Sequence, residues 1–376
     1  MPLSDRHLYL AEDTSVFQNK FVLLGIGATV LNAATTVNRM MRRIDFKDKV
    51  VVITGGSRGL GLVLARRLAK ENAKLVLLAR NTEELEAAEE QLKNQDAILR
   101  TFECDVTIQK EVEDTLAKII EEMGAIDILI NNAGVIQVGP QEVMTTDDYR
   151  NALDSHFWAP LYAALAVVPH MKERKFGRIV NIASIGGKIS VPHLLPYNAS
   201  KFALAGLSEG LRYELMPDNI FVTTVCPGLM RTGSHVNAKF KGKHKLEYAL
   251  FSTMNSLPFL SANAERAASE IIDACRYGDA ELIITMPAKF AAKFKALFPE
   301  TTAEALGAIS RFLPKKGVEQ EDGRETKTGK ESQSELSPNA FTYLSDKAVL
   351  KNNEDLVAAK QASNGAGNGH GNEHQE

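Results

Sequence analysis

The sequence predicts an α/β domain, doubly wound about a mainly parallel sheet, and three observations carry that reading. An apolar run at residues 50–53 leads through Thr54-Gly55-Gly56-Ser57-Arg58-Gly59-Leu60-Gly61 into a helical pattern at 62–70. A second apolar run, 75–79, arrives at the distance expected of one βαβ unit. Two further segments that read as buried strands, 127–130 and 178–182, lead into small, amide or hydroxyl residues. Buried parallel strands end in this way where an open sheet receives its ligand, at the carboxyl edge.

The glycine turn is shaped for a dinucleotide. Its glycines let the backbone bend tightly and approach a pyrophosphate, and the next helix offers unpaired N–H groups and a partial positive charge at its N-terminus. Thr54, Gly55, Ser57, Arg58, Gly59, Leu60 and Gly61 are therefore candidate cofactor contacts. A glycine cluster alone also marks ordinary loops; the strand before it and the helix after it raise its weight. The second strand ends in Ala79-Arg80, where dinucleotide folds usually carry the Asp or Glu that holds an adenosine 2′-hydroxyl. With no carboxylate there, Arg80 and Arg58 are expected to straddle a 2′-phosphate, which favours NADP(H) with NAD(H) as the alternative. The bland reading of both arginines is a solvated surface.

Further along, Asp105-Val106 closes an extended stretch, Asn131-Asn132-Ala133-Gly134 follows the 127–130 strand, and Ser184 closes the 178–182 strand. Tyr197 and Lys201 stand four apart on a helix predicted over 197–212. That spacing puts them on one helix face, where an ammonium favours phenolate over phenol. A tyrosine with a pKa of about 10 needs such help to exchange protons near neutrality. Tyr343 and Lys347 repeat the spacing, so the pair alone carries nothing. The ordered set of glycine turn, Asn-Asn-Ala-Gly, strand-end serine and Tyr-x-x-x-Lys does.

This ordered set resembles the classical short-chain dehydrogenase/reductase family, over residues 47–286. The resemblance implies a Rossmann-like sheet in a single catalytic domain at 44–286. Gly55, Gly59 and Gly61 match the family's TGxxxGxG turn, Asp105 with Val106 its adenine contact, and Asn131 to Gly134 its NNAG segment, of which Asn132, Ala133 and Gly134 are carried over as cofactor contacts. Ser184, Tyr197 and Lys201 match its catalytic serine and YxxxK, while Pro227, Gly228 and Thr232 match the segment beside the nicotinamide. The family's mechanism makes Tyr197 the acid or base toward the substrate oxygen. Lys201 would hold the nicotinamide ribose and depress the tyrosine pKa, and Ser184 would polarise the carbonyl. One departure stands out. Family members commonly carry an Asn in the helix after NNAG, where it supports a water chain to the lysine; here that place holds His156. A neutral imidazole donates and accepts at once, so His156 is expected either to serve that relay or simply to pack.

Composition fits an ordinary enzyme core. The chain has 376 residues, a formal net charge of −3 and 24% charged residues, which argues against a nucleic-acid partner. Cys104, Cys226 and Cys275 are widely spaced and odd in number, so a disulfide framework is not expected. No Cys/His cluster has metal-ligand spacing, and the chemistry needs no metal.

The two ends exceed the catalytic domain. After a segment at 1–18, residues 19–43 read as an apolar helix whose uncharged stretch, 21–37, spans about 25 Å and is followed by Arg39, Arg42, Arg43, Lys47 and Lys49. Two readings stand side by side: an anchor that leaves the domain cytoplasmic by the positive-inside rule, and a helix packed on protein. Residues 287–316 read as an amphipathic extension. Phe290, Phe294, Leu297 and Phe298 recur at helical spacing within 287–299, suited to a membrane interface or to covering protein. The basic run 239–245, in the family's substrate lid, reads as a solvated loop. Residues 317–376 are rich in Glu, Lys, Ser, Asn and Gly and read as disordered.

The expected function is NADP(H)-dependent interconversion of a small-molecule carbonyl, apolar if reached from a membrane, and a secondary alcohol. The alternatives are the same reaction with NAD(H), and a dinucleotide-binding sensor or scaffold with little turnover. The resemblance also implies a homo-oligomer, formed through helices around 149–171 and 201–215.

Overall fold

The computed structural model describes residues 33–93, 95, 97–316, 323–339 and 342–356, in a unit that ends at Ile44 and a second that begins at Asp45. In the first unit, residues 33–41 are helical. Most of the expected apolar helix, 19–32, lies outside the described residues.

The second unit is built on seven strands: β1 Val50–Thr54, β2 Lys74–Ala79, β3 Leu99–Glu103, β4 Ile128–Asn131, β5 Gly177–Ile182, β6 Ile220–Pro227 and β7 Glu281–Ile284. They form one sheet in the order β7-β6-β5-β4-β1-β2-β3, with every pairing parallel. The chain therefore winds outward from β1 to β3 and then crosses back to β4. That reversal leaves a crevice at the carboxyl ends of β1 and β4, where open α/β sheets bind ligands. Thr54 pairs with Asn131, and Asn131 with Asn181, so the motif-bearing strand ends lie level.

Helices cover both faces, which is why β1, β4, β5 and β6 are buried along their whole length and tolerate unbroken apolar sequence. The first five are α1 Gly59–Ala69, α2 Thr82–Leu92, α3 Gln109–Met123, α4 Thr146–Leu153 and α5 Ala159–Glu173. Local chemistry sets their ends. Asn81 caps α2 by accepting from the Glu84 amide at 3.0 Å, and Gly124, at φ 80°, closes α3 in the left-handed region. Val112, Leu116 and Ile119 of α3 pack with Ala163, Ala164, Val167 and Met171 of α5 over β4 and β5. Between α4 and α5 the chain makes a π-turn, Asp154–Trp158, that carries His156.

The sixth helix, α6 Leu195–Leu215, bears Tyr197 and Lys201 and is pinned to the sheet by a buried polar chain. Asn131 Nδ2 donates to Asn181 Oδ1 at 2.8 Å, Asn181 Nδ2 to Ser208 Oγ at 3.1 Å, and Thr224 Oγ1 to the same hydroxyl at 2.8 Å. The first asparagine of the NNAG segment is thereby a structural tie between β4, β5 and α6.

The basic run 239–245 differs from the solvated loop expected of it. Lys239–Phe240 is a short strand between Gln137–Val138 and Lys327–Thr328. Phe240 packs against Val138 and Tyr248, the latter on α7 His244–Ser256. Lys241 is buried, with Nζ 2.7 Å from Asp148 Oδ2. Burial works against the Asp148 carboxylate, but donation from Lys241, from the Thr145 amide at 2.6 Å and from Gln137 at 2.6 Å outweighs it and holds the pKa below the usual value. A depressed folded pKa stabilises the fold above the unfolded pKa and loses that contribution as pH falls through the folded value. Asp148→Asn, which strands the Lys241 ammonium, is expected to cost about 3 kcal/mol in urea unfolding at pH 7. The gap should narrow below about pH 4. A cost below about 1 kcal/mol would contradict this account.

Beyond α8 Ala264–Tyr277 and β7, the expected amphipathic extension forms two helices, α9 Met286–Leu297 and α10 Pro299–Ser310. Phe290, Phe294 and Phe298 stack along α9 with ring centroids 5.7 and 5.1 Å apart, and Phe290 is 69% exposed. Among the described residues no helix is long and apolar enough to cross a membrane.

The expectation of disorder over 317–376 needs correction for residues 323–339 and 342–356. They supply the short strand Lys327–Thr328 and helix α11 Tyr343–Lys351, and they bury Ser332, Ser337, Thr342, Asn352, Asn353 and Glu354. Reasoning from composition assumes that apolar burial must offset ordering entropy. Here hydrogen bonds to the core do much of that work: Ser252 pairs with Ser337 at 2.8 Å, Ser256 donates to the Thr342 carbonyl at 3.1 Å, and His235 meets Asp346 at 3.2 Å. Residues 317–322, 340–341 and 357–376 lie outside the described residues.

Candidate active site

The glycine turn and the NNAG loop are locked together. Thr54 Oγ1 accepts from the amides of Asn132 and Ala133 at 3.0 and 3.1 Å, and Asn132 Nδ2 donates to the carbonyls of Thr54 and Gly55 at 3.1 and 3.0 Å. Gly59 has φ +56°, and a Cβ on Gly61 would lie 2.1 Å from the Gly55 carbonyl oxygen, so the turn admits no side chain there. Arg58 holds the N-cap position of α1, yet its side chain caps nothing. The first turn of α1 thus has no acceptor from its own cap and suits a phosphate. These features fit the pyrophosphate of a dinucleotide.

At the ends of β2 and β3, Arg80 Nη1 lies 3.6 Å from Asp105 Oδ2. Asp105 Oδ1 accepts from the Thr107 amide at 3.0 Å and from its hydroxyl at 2.7 Å; burial opposes the charge, but these bonds and Arg80 keep its pKa low. Val106 packs against the core. Sequence reasoning missed Glu84 here. Its Oε2 accepts from Ser57 Oγ at 2.9 Å and lies 3.4 Å from Arg58 Nε, so a carboxylate does face the turn, from the first turn of α2 rather than the end of β2. The signal was its place three residues after the cap Asn81.

The catalytic candidates converge beyond β5. Ser184 Oγ accepts from the Gly186 amide at 3.0 Å and hydrogen-bonds Tyr197. Gly186 has to be small, because its Cβ would meet Asn198 Oδ1 at 2.6 Å. Lys201 is buried, donates to the Ile182 carbonyl at 2.8 Å and lies 5.7 Å from the Tyr197 ring centroid. The pKa of Tyr197 is not depressed as the resemblance implied. Removal from water pushes the phenol up, and the Ser184 bond offsets only part of that rise. Lys201 is likewise removed from water, which brings its ammonium down to about 7.

His156 is 1% exposed, and its two ring nitrogens are both engaged. The Val135 amide donates to Nε2 at 3.2 Å, which leaves the proton on Nδ1, 2.8 Å from Ser200 Oγ. Ser200 Oγ in turn donates to the Tyr197 carbonyl at 2.8 Å, and the imidazole meets the Tyr197 ring edge-on at 5.3 Å. Burial and the neighbouring Lys201 hold its pKa well below the usual value. Both nitrogens of the neutral imidazole are thus engaged within the protein, as the packing alternative expects, and His156 braces the NNAG loop against α6, with Gly134 the residue that makes room for it.

Pro227 ends β6, and a Cβ on Gly228 would sit 2.6 Å from Thr285 Oγ1. Thr232 is buried, donates to Ser234 Oγ at 2.9 Å, and its carbonyl accepts from Asn352 Nδ2 at 2.9 Å. The approach of Asn352, Asn353 and Glu354 to this edge was not legible; nothing in their local sequence marks it.

The sequence model of the short chain dehydrogenase family matches residues 49–241, just over half of the chain. The chain belongs to this family. It is 34% identical over 242 residues to Dehydrogenase/reductase SDR family member 7B of Mus musculus, covering 63% of this chain and 73% of the mouse protein. Among solved structures, it is similar to NAD+-bound xylitol dehydrogenase (28% identity, TM-score 0.57, covering 64% of this chain and 99% of that one). It is also similar to L-sorbose reductase of Gluconobacter frateurii complexed with NADPH and L-sorbose (26% identity, TM-score 0.58, 64% and 97%). This short-chain dehydrogenase is thus an NAD(P)-dependent oxidoreductase with a Rossmann-like, fully parallel seven-stranded sheet.

Proposed function

We propose that the enzyme interconverts a small-molecule carbonyl and a secondary alcohol with NADP(H), Tyr197 exchanging the proton with the substrate oxygen. The observation that carries this reading is the convergence of Ser184, Tyr197 and Lys201 beside a glycine turn whose packing excludes side chains. The bound dinucleotide supplies or accepts the hydride at its nicotinamide. Ser184, paired with the phenol, is positioned to hydrogen-bond the same substrate oxygen that Tyr197 serves. A phenol whose pKa is raised favours the protonated form, which suits carbonyl reduction, where Tyr197 gives its proton up. Lys201, anchored to the Ile182 carbonyl, is assigned to the nicotinamide ribose, and the buried His156 fixes the helix that carries both residues.

NADP(H) is favoured by Arg80 at the end of β2 and Arg58 in the turn, two forked cations at the adenosine end with no carboxylate at position 80. Glu84 favours the second reading, NAD(H), because its carboxylate already faces Ser57 and Arg58. Titration of the full chain with both dinucleotides tests the assignment. NADPH is expected to bind about tenfold or more tightly than NADH, and Arg58→Ala with Arg80→Ala is expected to erase that difference while sparing NADH. A wild-type preference for NADH would overturn it.

A further inference from the structure

The segment that follows α11 runs into the glycine turn. The Gly59 amide, first in α1, donates to the Asn352 carbonyl at 2.8 Å, and Asn353 Nδ2 donates to the Ser57 carbonyl at 3.3 Å. Glu354 goes deepest. Its carboxylate lies against the Gly59 backbone, so close that a Cβ at that glycine would stand 2.5 Å from Oε1. Its Oε2 lies 3.3 Å from Arg58 Nη1 and accepts from Asn237 Nδ2 at 2.7 Å, and the residue is only 5% exposed. A carbonyl and a carboxyl group from the chain's own tail are therefore seated at the helix N-terminus and beside the guanidinium that the dinucleotide would use.

We propose that residues 352–354 are an intramolecular competitor of the dinucleotide, Glu354 occupying the seat of a pyrophosphate oxygen, so that cofactor binding requires the tail to lift. The inference rests on the reading that the glycine turn holds NADP(H) or NAD(H). A pyrophosphate cannot take the Gly59 amide while the Asn352 carbonyl holds it, nor the Arg58 guanidinium and the space over Gly59 while Glu354 fills them. The docked tail lowers apparent cofactor affinity by the fraction of chains in which it is closed. The remaining contacts make that fraction large: Lys351 pairs with Glu265 at 2.9 Å, Gln91 Nε2 donates to Asn353 Oδ1 at 2.6 Å, and a Cβ on Gly233 would lie 2.7 Å from the α11 backbone at Val349. Anything that holds the tail away from the core would then switch the enzyme on without touching Ser184, Tyr197 or Lys201.

The test uses the full chain and Glu354→Ala, with NADPH and NADH as probes in calorimetric or fluorescence titrations. The variant is expected to bind the preferred dinucleotide about tenfold more tightly, with kcat at saturating cofactor unchanged. A second measurement needs no variant: hydrogen exchange of amides in 343–356 should speed up when the wild-type chain is saturated with that dinucleotide. Equal or weaker binding by Glu354→Ala, or slower exchange across 343–356 on saturation, would overturn the competitor and make the tail a neutral strap or a clamp, leaving the oxidoreductase reading intact. If neither protein bound either dinucleotide, the reading of the glycine turn would fall and this inference with it.

Discussion

Replacing Tyr197 with Phe is expected to lower turnover by about 10²–10⁴-fold while leaving dinucleotide affinity within about twofold. The ring fills the same space and keeps its edge-on contact with the His156 imidazole, so α6 has no cause to move. Only the hydroxyl is lost, and with it the proton exchanged with the substrate oxygen and the bond to Ser184. The split decides between roles. A structural tyrosine would show its loss in stability or in cofactor binding, whereas an acid or base shows it in kcat and in the disappearance of a pH-dependent limb. Stopped-flow and steady-state rates at saturating cofactor make the comparison, and a Tyr197→Phe enzyme within about fivefold of wild type would remove the residue from the chemistry.

Gly61→Ala is expected to be nearly as damaging for a different reason. The added methyl would overlap the Gly55 carbonyl oxygen at 2.1 Å and the Asn132 amide nitrogen at 2.7 Å. The first neighbour is backbone and cannot rotate aside. The second is held by two hydrogen bonds, to the carbonyls of Thr54 and Gly55. Relief therefore means opening the turn itself and parting it from the NNAG loop. Overpacking of this kind costs about 1–3 kcal/mol of stability, and a turn displaced by about an ångström is expected to lose dinucleotide affinity by about 100-fold or more. Thermal unfolding with and without dinucleotide separates the two effects: the apo midpoint should fall, and the rise given by cofactor should vanish. An unchanged rise would mean that the turn does not seat the pyrophosphate.

What the sequence disclosed and what it hid divide along physical lines. Features fixed by local chemistry were legible: the glycine turn between β1 and α1, the buried apolar strands, and the four-residue spacing of Tyr197 and Lys201 on α6. Each depends on a few consecutive residues whose periodicity or conformational freedom points one way. Features fixed by distant partners were not. Lys241 looked like one charge of a solvated run because Asp148, which buries it, is 93 residues away. His156 looked free to relay a proton because the Val135 amide and Ser200, which occupy its nitrogens, come from a loop and a helix that only the fold brings together. The tail shows the same limit most clearly. Its composition argues for disorder, yet Asn352, Asn353 and Glu354 find donors and acceptors on the glycine turn, on Asn237 and at the Thr232 carbonyl, about 120–300 residues upstream. Polar segments that order by hydrogen bonding to a preformed edge leave no hydrophobic pattern to read.

As an oxidoreductase of the proposed kind, this chain moves a hydride between nicotinamide and a carbonyl carbon. The direct measurement is to incubate the full chain with NADPH or NADH deuterated at nicotinamide C4, together with a panel of aldehydes and ketones, and to analyse the alcohols by mass spectrometry. One deuterium is expected on the carbinol carbon of at least one product, and it is lost in Tyr197→Phe. Tight dinucleotide binding with no labelled alcohol from any member of the panel would contradict it and leave a dinucleotide-binding sensor in its place.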